Sequence, residues 1–136
     1  RKNGVLVSEK KGKTGLYVLK LPNPCLEYFR ILNTFLTIEP LIEKLKSISR
    51  RIVLYGSYAT GDFTSDSDLD LFIVSQKKEK VSEMIENFSR KAGFKISPII
   101  KWQVEWMQME KVHPEFFAQL NRGVVLWERP INESGF

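Results

Sequence analysis

The chain has 136 residues, of which 43% are hydrophobic and 27% charged, and its formal net charge is +5. This length fits one ordinary domain with a small appendage and excludes two full-sized domains, and the composition is typical of a soluble globular domain rather than a disordered chain. Because no apolar run approaches the roughly 20 residues that cross a bilayer and no signal peptide is evident, we expect no membrane partner and a cytoplasmic protein.

Residues 1–22 hold two short runs rich in β-branched and aromatic residues, GVLVSEKK and TGLYVLKL, on either side of Lys11-Gly12-Lys13. Such runs around a glycine-containing turn predict a β-hairpin with a basic tip. The whole excess of positive charge lies here, because residues 1–20 carry six basic side chains against one acidic side chain and the remaining residues carry 15 of each. The chain begins within this pattern, so we expect it to be the end of a longer polypeptide.

Residues 23–50 are predicted to form a connecting pair of helices. The first runs from Asn23, a possible cap, to Phe35, with Pro24 in its first turn, where a missing N–H costs nothing. The second begins at Pro40 and ends at Ile48.

Residues 51–136 are predicted to form an α/β (α+β) domain with a mixed sheet flanked by helices. Pro98 indicates that the third of its strands lies at a sheet edge or ends near that residue, and Gly93 is predicted to end the preceding helix. The predicted strands are IVLY, LDLFIV, FKISPII and GVVLWE, and the predicted helices cover 76–92, 103–111 and 114–120, with a short helix after the first strand.

Two aspartates stand at the start of the second predicted strand, in the stretch GSYATGDFTSDSDLD at residues 56–70. Because side chains alternate along a strand, Asp68 and Asp70 are predicted to share one face while Leu69 and Leu71 point to the other. Carboxylates this close repel each other, an arrangement that favours a bound cation such as Mg²⁺. The alternative is a strand whose solvent face is simply acidic.

The Gly56-Ser57 pair favours the metal interpretation. A glycine after a buried strand lets the backbone approach a ligand, and a serine that opens a short helix offers a hydroxyl beside amides that bind phosphate. With one cysteine and one histidine in the chain, any metal must be held by oxygen. The chain has neither a P-loop nor a dinucleotide fingerprint.

The run LYGSYATGDFTSDSDLDLFIV resembles the signature of the polymerase-β-like nucleotidyltransferase superfamily, and most closely its minimal nucleotidyltransferase branch. The resemblance implies that Gly56 and Ser57 bind the triphosphate of an NTP and that Asp68 and Asp70 are catalytic and bind Mg²⁺ or Mn²⁺. Gly61 and Ser67 also match the motif. The implied activity is transfer of a nucleoside monophosphate, AMP from ATP, to a hydroxyl acceptor.

One position departs from that family, whose active members usually carry a third acidic residue on a later strand. Here that strand reads FKISPII, with Ser97 near the expected place. A slow or degenerate enzyme is therefore expected, because the third acid helps to activate the attacking hydroxyl. Glu105 is interpreted as a solvated helical residue and not as part of the site.

The N-terminal segment NGVLVSEKKGKTGLYVL is similar to the wing of winged-helix DNA-binding domains, which implies that Lys10, Lys11 and Lys13 contact DNA phosphates. A solvated hairpin is the equal alternative. The second candidate function, which the wing-like segment implies, is a winged-helix regulator. It could also be an antitoxin-like module with a HEPN-like protein partner, since the minimal branch also contains antitoxins of that kind.

Overall fold

The structure, a computed structural model, describes residues 23–64 and 66–130. The predicted hairpin, with Lys10, Lys11 and Lys13, lies outside them. None of the helices in the described part is both long and apolar enough to span a bilayer. In chain order the elements are α1 Asn23–Lys46, β1 Arg51–Tyr55, α2 Ser57–Thr60, β2 Leu69–Val74, α3 Lys78–Ala92, β3 Ile96–Lys101, α4 Gln103–Met107, α5 Met109–Val112, α6 Pro114–Asn121 and β4 Val124–Glu128.

The strands form a four-stranded mixed sheet in the order β3-β2-β1-β4. Strand β1 is antiparallel to β2 and to β4, while β2 is parallel to β3. The predicted α/β fold class with a mixed sheet is confirmed. Strand β3 lies at an edge, as Pro98 predicted, because a residue without an N–H is tolerated where a strand has only one neighbour.

Helices cover both faces of the sheet. On one face Leu69, Leu71 and Ile73 of β2 join a core that includes residues of α1 and α3. On the other face Phe72 and Val74 join a core that includes residues of α5 and α6. The alternation predicted for β2 is confirmed, and it also sets the face on which Asp70 lies, because Asp70 and Phe72 are two residues apart.

The predicted pair of helices at residues 23–50 is wrong, because α1 is one continuous helix that contains Pro40. Pro40 is exposed, whereas Ile38, Leu41 and Leu45 are almost completely buried against the sheet. Their burial at helical spacing holds the helix together across a residue that removes one backbone hydrogen bond. The second half of α1 thus belongs to the same core as β2, and the predicted domain boundary at residue 51 stays a prediction.

The single helix predicted at 103–111 is also wrong. The chain there forms α4 and α5, separated at Gln108. The N–H of Gln108 donates to the carbonyl of Glu105 at 3.2 Å, three residues back, so the last turn of α4 tightens and the helix direction changes. The helix end predicted at Gly93 is confirmed, since Gly93 has φ 82° and its N–H donates to Ser89 O.

Candidate active site

Asp68 and Asp70 lie together where β2 begins. Asp70 is the second residue of the strand, and Leu69 between them is fully buried while both aspartates are partly exposed. Burial, and then the charge of Asp68, raise the pKa of the Asp70 carboxyl. The charge of Asp68 therefore acts on Asp70, as expected for two carboxylates at one site.

The Gly56 backbone lies directly against the Asp70 side chain. Gly56 follows β1 with φ 78°, and a Cβ built there would lie 2.3 Å from Asp70 Oδ2. Tyr55, which pairs with Asp70 across the two strands, is buried, and burial together with the Asp70 charge raises the pKa of its hydroxyl to about 12. The Gly-Ser turn and the aspartate pair therefore belong to one site.

A cleft of about 320 Å³ opens beside the Gly-Ser turn. Gly56, Ser57 and Thr60 line one side, and Arg122 and Gly123 line the other. Gly123 comes so close to β1 that a Cβ there would be 2.5 Å from Leu54 O. The pairing of β4 with β1 thus brings Arg122 to a cleft whose other side begins 66 residues earlier in the chain, at Gly56.

Gly61 and Ser67 shape the loop that carries the motif. Gly61 ends α2 with φ 84°, and a Cβ there would lie 2.7 Å from Glu27 O in α1. Ser67 Oγ accepts the N–H of Thr64 at 2.9 Å. These two motif positions therefore serve the backbone path of the loop, which explains why a glycine and a short hydroxyl residue occupy them.

An aromatic pair of the same loop contacts Arg30 of α1. The Phe63 ring stacks on the Tyr58 ring with centroids 3.9 Å apart. The guanidinium of Arg30, a residue of α1, lies 4.1 Å from the Phe63 ring centroid. Arg30 Nη2 also donates to Phe63 O. Contacts of this kind restrict the loop that leads from α2 to the aspartates.

The neighbouring edge strand carries no third carboxylate. Ser97 of β3 pairs directly with Asp70 in the parallel register, near the place that the family resemblance implies for the third acid. Lys95 precedes that strand, and its Nζ lies 3.9 Å from Asp68 Oδ2 although its side chain is 78% exposed. Within residues 23–64 and 66–130, no cluster of three or more His, Cys, Asp or Glu side chains could hold a metal.

Glu105 is far from the aspartates, as its interpretation as a non-site residue requires. It follows the end of β3, whereas Asp70 lies near the start of the parallel strand β2. Its carboxylate accepts the N–H of Trp102 at 2.7 Å and pairs with Lys78 Nζ at 3.2 Å. The Trp102 N–H and then the nearby Lys78 lower the pKa of the Glu105 carboxyl.

The Asp68 and Asp70 pair fits a divalent cation. Both donors are hard oxygens and both lie at one end of β2. Burial, and then the repulsion between them, raise the pKa of the Asp70 carboxyl, and a bound cation would offset that repulsion. Two protein carboxylates are also the usual number for Mg²⁺ that completes its coordination with water and substrate phosphate.

The sequence offers Arg122 only as a residue that could border a nucleotide pocket, and it does not single out Lys95. Arg122 is adjacent to Gly123 in the sequence, which indicates only a turn, and Lys95 is one lysine among many in a basic chain. Only the sheet pairing, which is a tertiary feature, brings them to the aspartates and to the Gly-Ser turn.

Comparisons with known proteins agree on one family. A family model described as nucleotidyltransferase domain matches residues 38–131. A Methanocaldococcus jannaschii protein described as a putative protein adenylyltransferase is 37% identical over 62 residues, which are 41% of this chain and 63% of that protein. A second protein of that organism with the same description is 33% identical over 92 residues, covering 66% of this chain and 90% of the relative.

A solved structure, described as a putative nucleotidyltransferase from Sulfolobus solfataricus, has a TM-score of 0.46 and 17% sequence identity and covers 81% of this chain and 91% of that one.

Proposed function

The chain belongs to the nucleotidyltransferase domain family, and we propose that it binds ATP with a divalent cation at Gly56, Ser57, Asp68 and Asp70 and transfers AMP to a hydroxyl group. The observation that carries the proposal is the contact between Gly56 and Asp70. It supports the proposal because the turn that would bind phosphate adjoins the carboxylate that would bind the metal. The description of two relatives as putative protein adenylyltransferases supports a protein hydroxyl as the acceptor.

In this proposal the protein's own groups bind and orient the triphosphate. The missing Cβ of Gly56 leaves room for the Asp70 carboxylate beside the turn, so that the phosphates and the metal would share one site, and Ser57 would donate its hydroxyl to the phosphates. Arg122 lies across the cleft, where its guanidinium would neutralise phosphate charge. Asp68 and Asp70 would hold Mg²⁺ or Mn²⁺, which when bound would offset the charge that develops on the pyrophosphate leaving group.

The acceptor oxygen would attack the α-phosphorus while the bond from that phosphorus to the bridging oxygen of pyrophosphate breaks. A carboxylate on β3 would be the natural base for the acceptor proton, but Ser97 occupies that position. The proton therefore passes to water, and we expect transfer to be slow although nucleotide binding is retained.

Calorimetric titration with ATP tests the binding step. We expect binding that requires Mg²⁺ or Mn²⁺ and that Asp68→Asn with Asp70→Asn abolishes, because the pair would then lose both charges that hold the cation. Asp66→Asn is the matched control, since Asp66 is an exposed aspartate of the same loop. An ATP affinity unchanged in the double variant or in EDTA contradicts the assignment.

Labelled ATP with candidate acceptor proteins tests the transfer step. The Asp70 and Ser97 pairing leads us to expect that Ser97→Asp raises transfer by about 100-fold or more, which is the usual contribution of a general base. Ser97→Ala is the control for side-chain loss, and thermal unfolding checks that each variant folds. Rapid transfer by the wild-type chain that Ser97→Ala leaves intact would show that no third carboxylate is needed.

The serine at this position also favours a second candidate, a regulatory domain that binds nucleotide without transferring it. In that case the wild-type chain would transfer no AMP, and only the Ser97→Asp variant would do so. DNA contact through Lys10, Lys11 and Lys13, and a HEPN-like partner, stay predictions from the sequence.

A further inference from the structure

The end of the sheet opposite the aspartates is rich in basic side chains. It is formed by the start of β1, the ends of β2, β3 and β4, and the loops beside them. Glu105 pairs with Lys78 there and Glu128 with Arg51. A third acidic residue, Glu79, lies in the first turn of α3. The basic residues at this end are Arg50, Arg51, Lys77, Lys78, Lys80, Lys101 and Arg129.

Two adjoining clefts of about 480 and 560 Å³ cross this end of the molecule. Gln76 and Lys77 line both clefts, so the two adjoin each other. We call them together the basic groove. Its lining includes Arg50, Gln103 and Arg129 in the smaller cleft and Lys78, Lys80 and Trp102 in the larger one.

Hydrogen bonds within the protein join the loops that carry the lining of the basic groove. The buried Ser75 hydroxyl donates to Ile48 O and accepts the N–H of Lys77 at 3.0 Å. The Ser75 N–H donates to Lys101 O at 2.9 Å. One residue thus joins the loops after α1, β2 and β3, and the groove is formed before any ligand arrives, which lowers the entropic cost of binding.

The charges and the aromatic side chain of the groove fit a single-stranded nucleic acid. Trp102 is 47% exposed, and Lys78 Nζ lies 4.5 Å from its ring centroid. Lys77, Lys78 and Lys80 stand at the N-terminus of α3, where the helix dipole disfavours cations and favours phosphate. An exposed aromatic ring among cations is the combination with which proteins bind single strands, since bases stack on the ring while the cations contact phosphates.

We propose that the basic groove binds a single-stranded nucleic acid, whose phosphates contact Lys77, Lys80 and Arg50 and one of whose bases stacks on Trp102. An acidic peptide would use the same cations but has no base to place on the indole. The groove is at the far end of the sheet from Asp70, so this proposal does not depend on the proposed transfer of AMP.

Fluorescence anisotropy with a labelled 12-nucleotide oligouridylate tests the charges. We expect binding that weakens with salt with a logarithmic slope of about −2, as for three phosphate contacts on a single strand. Lys77→Ala with Lys80→Ala should weaken binding about tenfold and flatten that slope. The matched control is Lys44→Ala with Lys91→Ala, two exposed lysines of α1 and α3 that line a different cleft.

Both pairs of variants are measured also in a chain with Lys10→Ala, Lys11→Ala and Lys13→Ala, which removes any contribution of the N-terminal segment. The basic groove is not the site if the control pair weakens binding as much as Lys77→Ala with Lys80→Ala does. It is also not the site if replacing only Lys10, Lys11 and Lys13 with alanine abolishes binding.

Trp102→Ala tests the stacking. We expect it to weaken oligouridylate binding about tenfold, within the range for one stacked base, and to leave inorganic polyphosphate binding unchanged, since polyphosphate has no base. Thermal unfolding checks that the variant folds, and quenching of wild-type tryptophan fluorescence by the oligonucleotide gives a second readout. Equal weakening for both ligands contradicts stacking, and equal competition by polyglutamate at matched charge would assign the groove to acidic proteins instead.

Discussion

The Gly56 backbone and the Asp70 carboxylate are in direct contact, and this contact decides which residues position 56 can accept. A Cβ there would be 2.3 Å from Asp70 Oδ2 and 3.2 Å from its Cγ, and the backbone has φ 78°. Two separate costs therefore oppose a larger residue: the positive φ, which side chains disfavour, and the displacement of Asp70.

Gly56→Ala with Gly93→Ala as its matched control separates the two costs. Gly93 has φ 82° but its Cβ would meet nothing within 4 Å. We expect Gly93→Ala to lower the free energy of unfolding by about 1–2 kcal/mol through φ alone. Gly56→Ala should lower it further and should also weaken ATP binding with Mg²⁺. Urea unfolding and calorimetry measure both effects, and equal results for the two variants would contradict the close contact.

The parts of the site that lie in one short segment could be predicted from the sequence. Strand alternation placed Asp68 and Asp70 together, and the glycine after a buried strand indicated the turn beside them. Arg122 and Lys95 could not be placed in this way, because the register of β4 on β1 and of β3 on β2 determines where they lie. Local patterns predict the residues of a segment but not the register between segments.

At the scale of elements, the sequence predicted the type of each strand and of α3 but not the continuity of α1. Pro40 is a local signal for a helix start. Ile38, Leu41 and Leu45 outweigh it, because their burial stabilises one helical path on both sides of the proline. The conflict between local preference and packing is resolved by packing, and only the fold shows which face is buried.

Pro40→Ala tests whether α1 is one helix. An alanine restores the backbone N–H and removes the ring from the helix interior, so we expect the free energy of unfolding to rise by about 1–3 kcal/mol. Glu39→Ala, at an exposed neighbouring position, is the control and should change it by less than about 0.5 kcal/mol. Denaturant unfolding measures both variants. No gain from Pro40→Ala would indicate that a helix begins at residue 40.

Across the whole molecule, the two ends of the sheet have different chemistry. Aspartates, a Gly-Ser turn and a cleft lie at the end where β2 begins. Cations, an exposed indole and the basic groove lie where β2 ends. The strands that connect the two ends are five or six residues long. Together with the adjoining loops, their length separates the two ends by about 20 Å. That separation exceeds the screening length of roughly 8 Å at physiological salt.

We therefore expect the two ends to bind their ligands independently. Asp68→Asn with Asp70→Asn should abolish ATP binding and leave oligouridylate affinity within about twofold, because the remaining charges are screened from the basic groove. Lys77→Ala with Lys80→Ala should have the reverse effect. Calorimetry for ATP with Mg²⁺ and anisotropy for the oligonucleotide, each repeated with the other ligand at saturation, measure the coupling. A mutual change in affinity of more than about fivefold would mean that the two sites are linked through a conformational change of the sheet or of α1, since direct electrostatics cannot supply it at this distance.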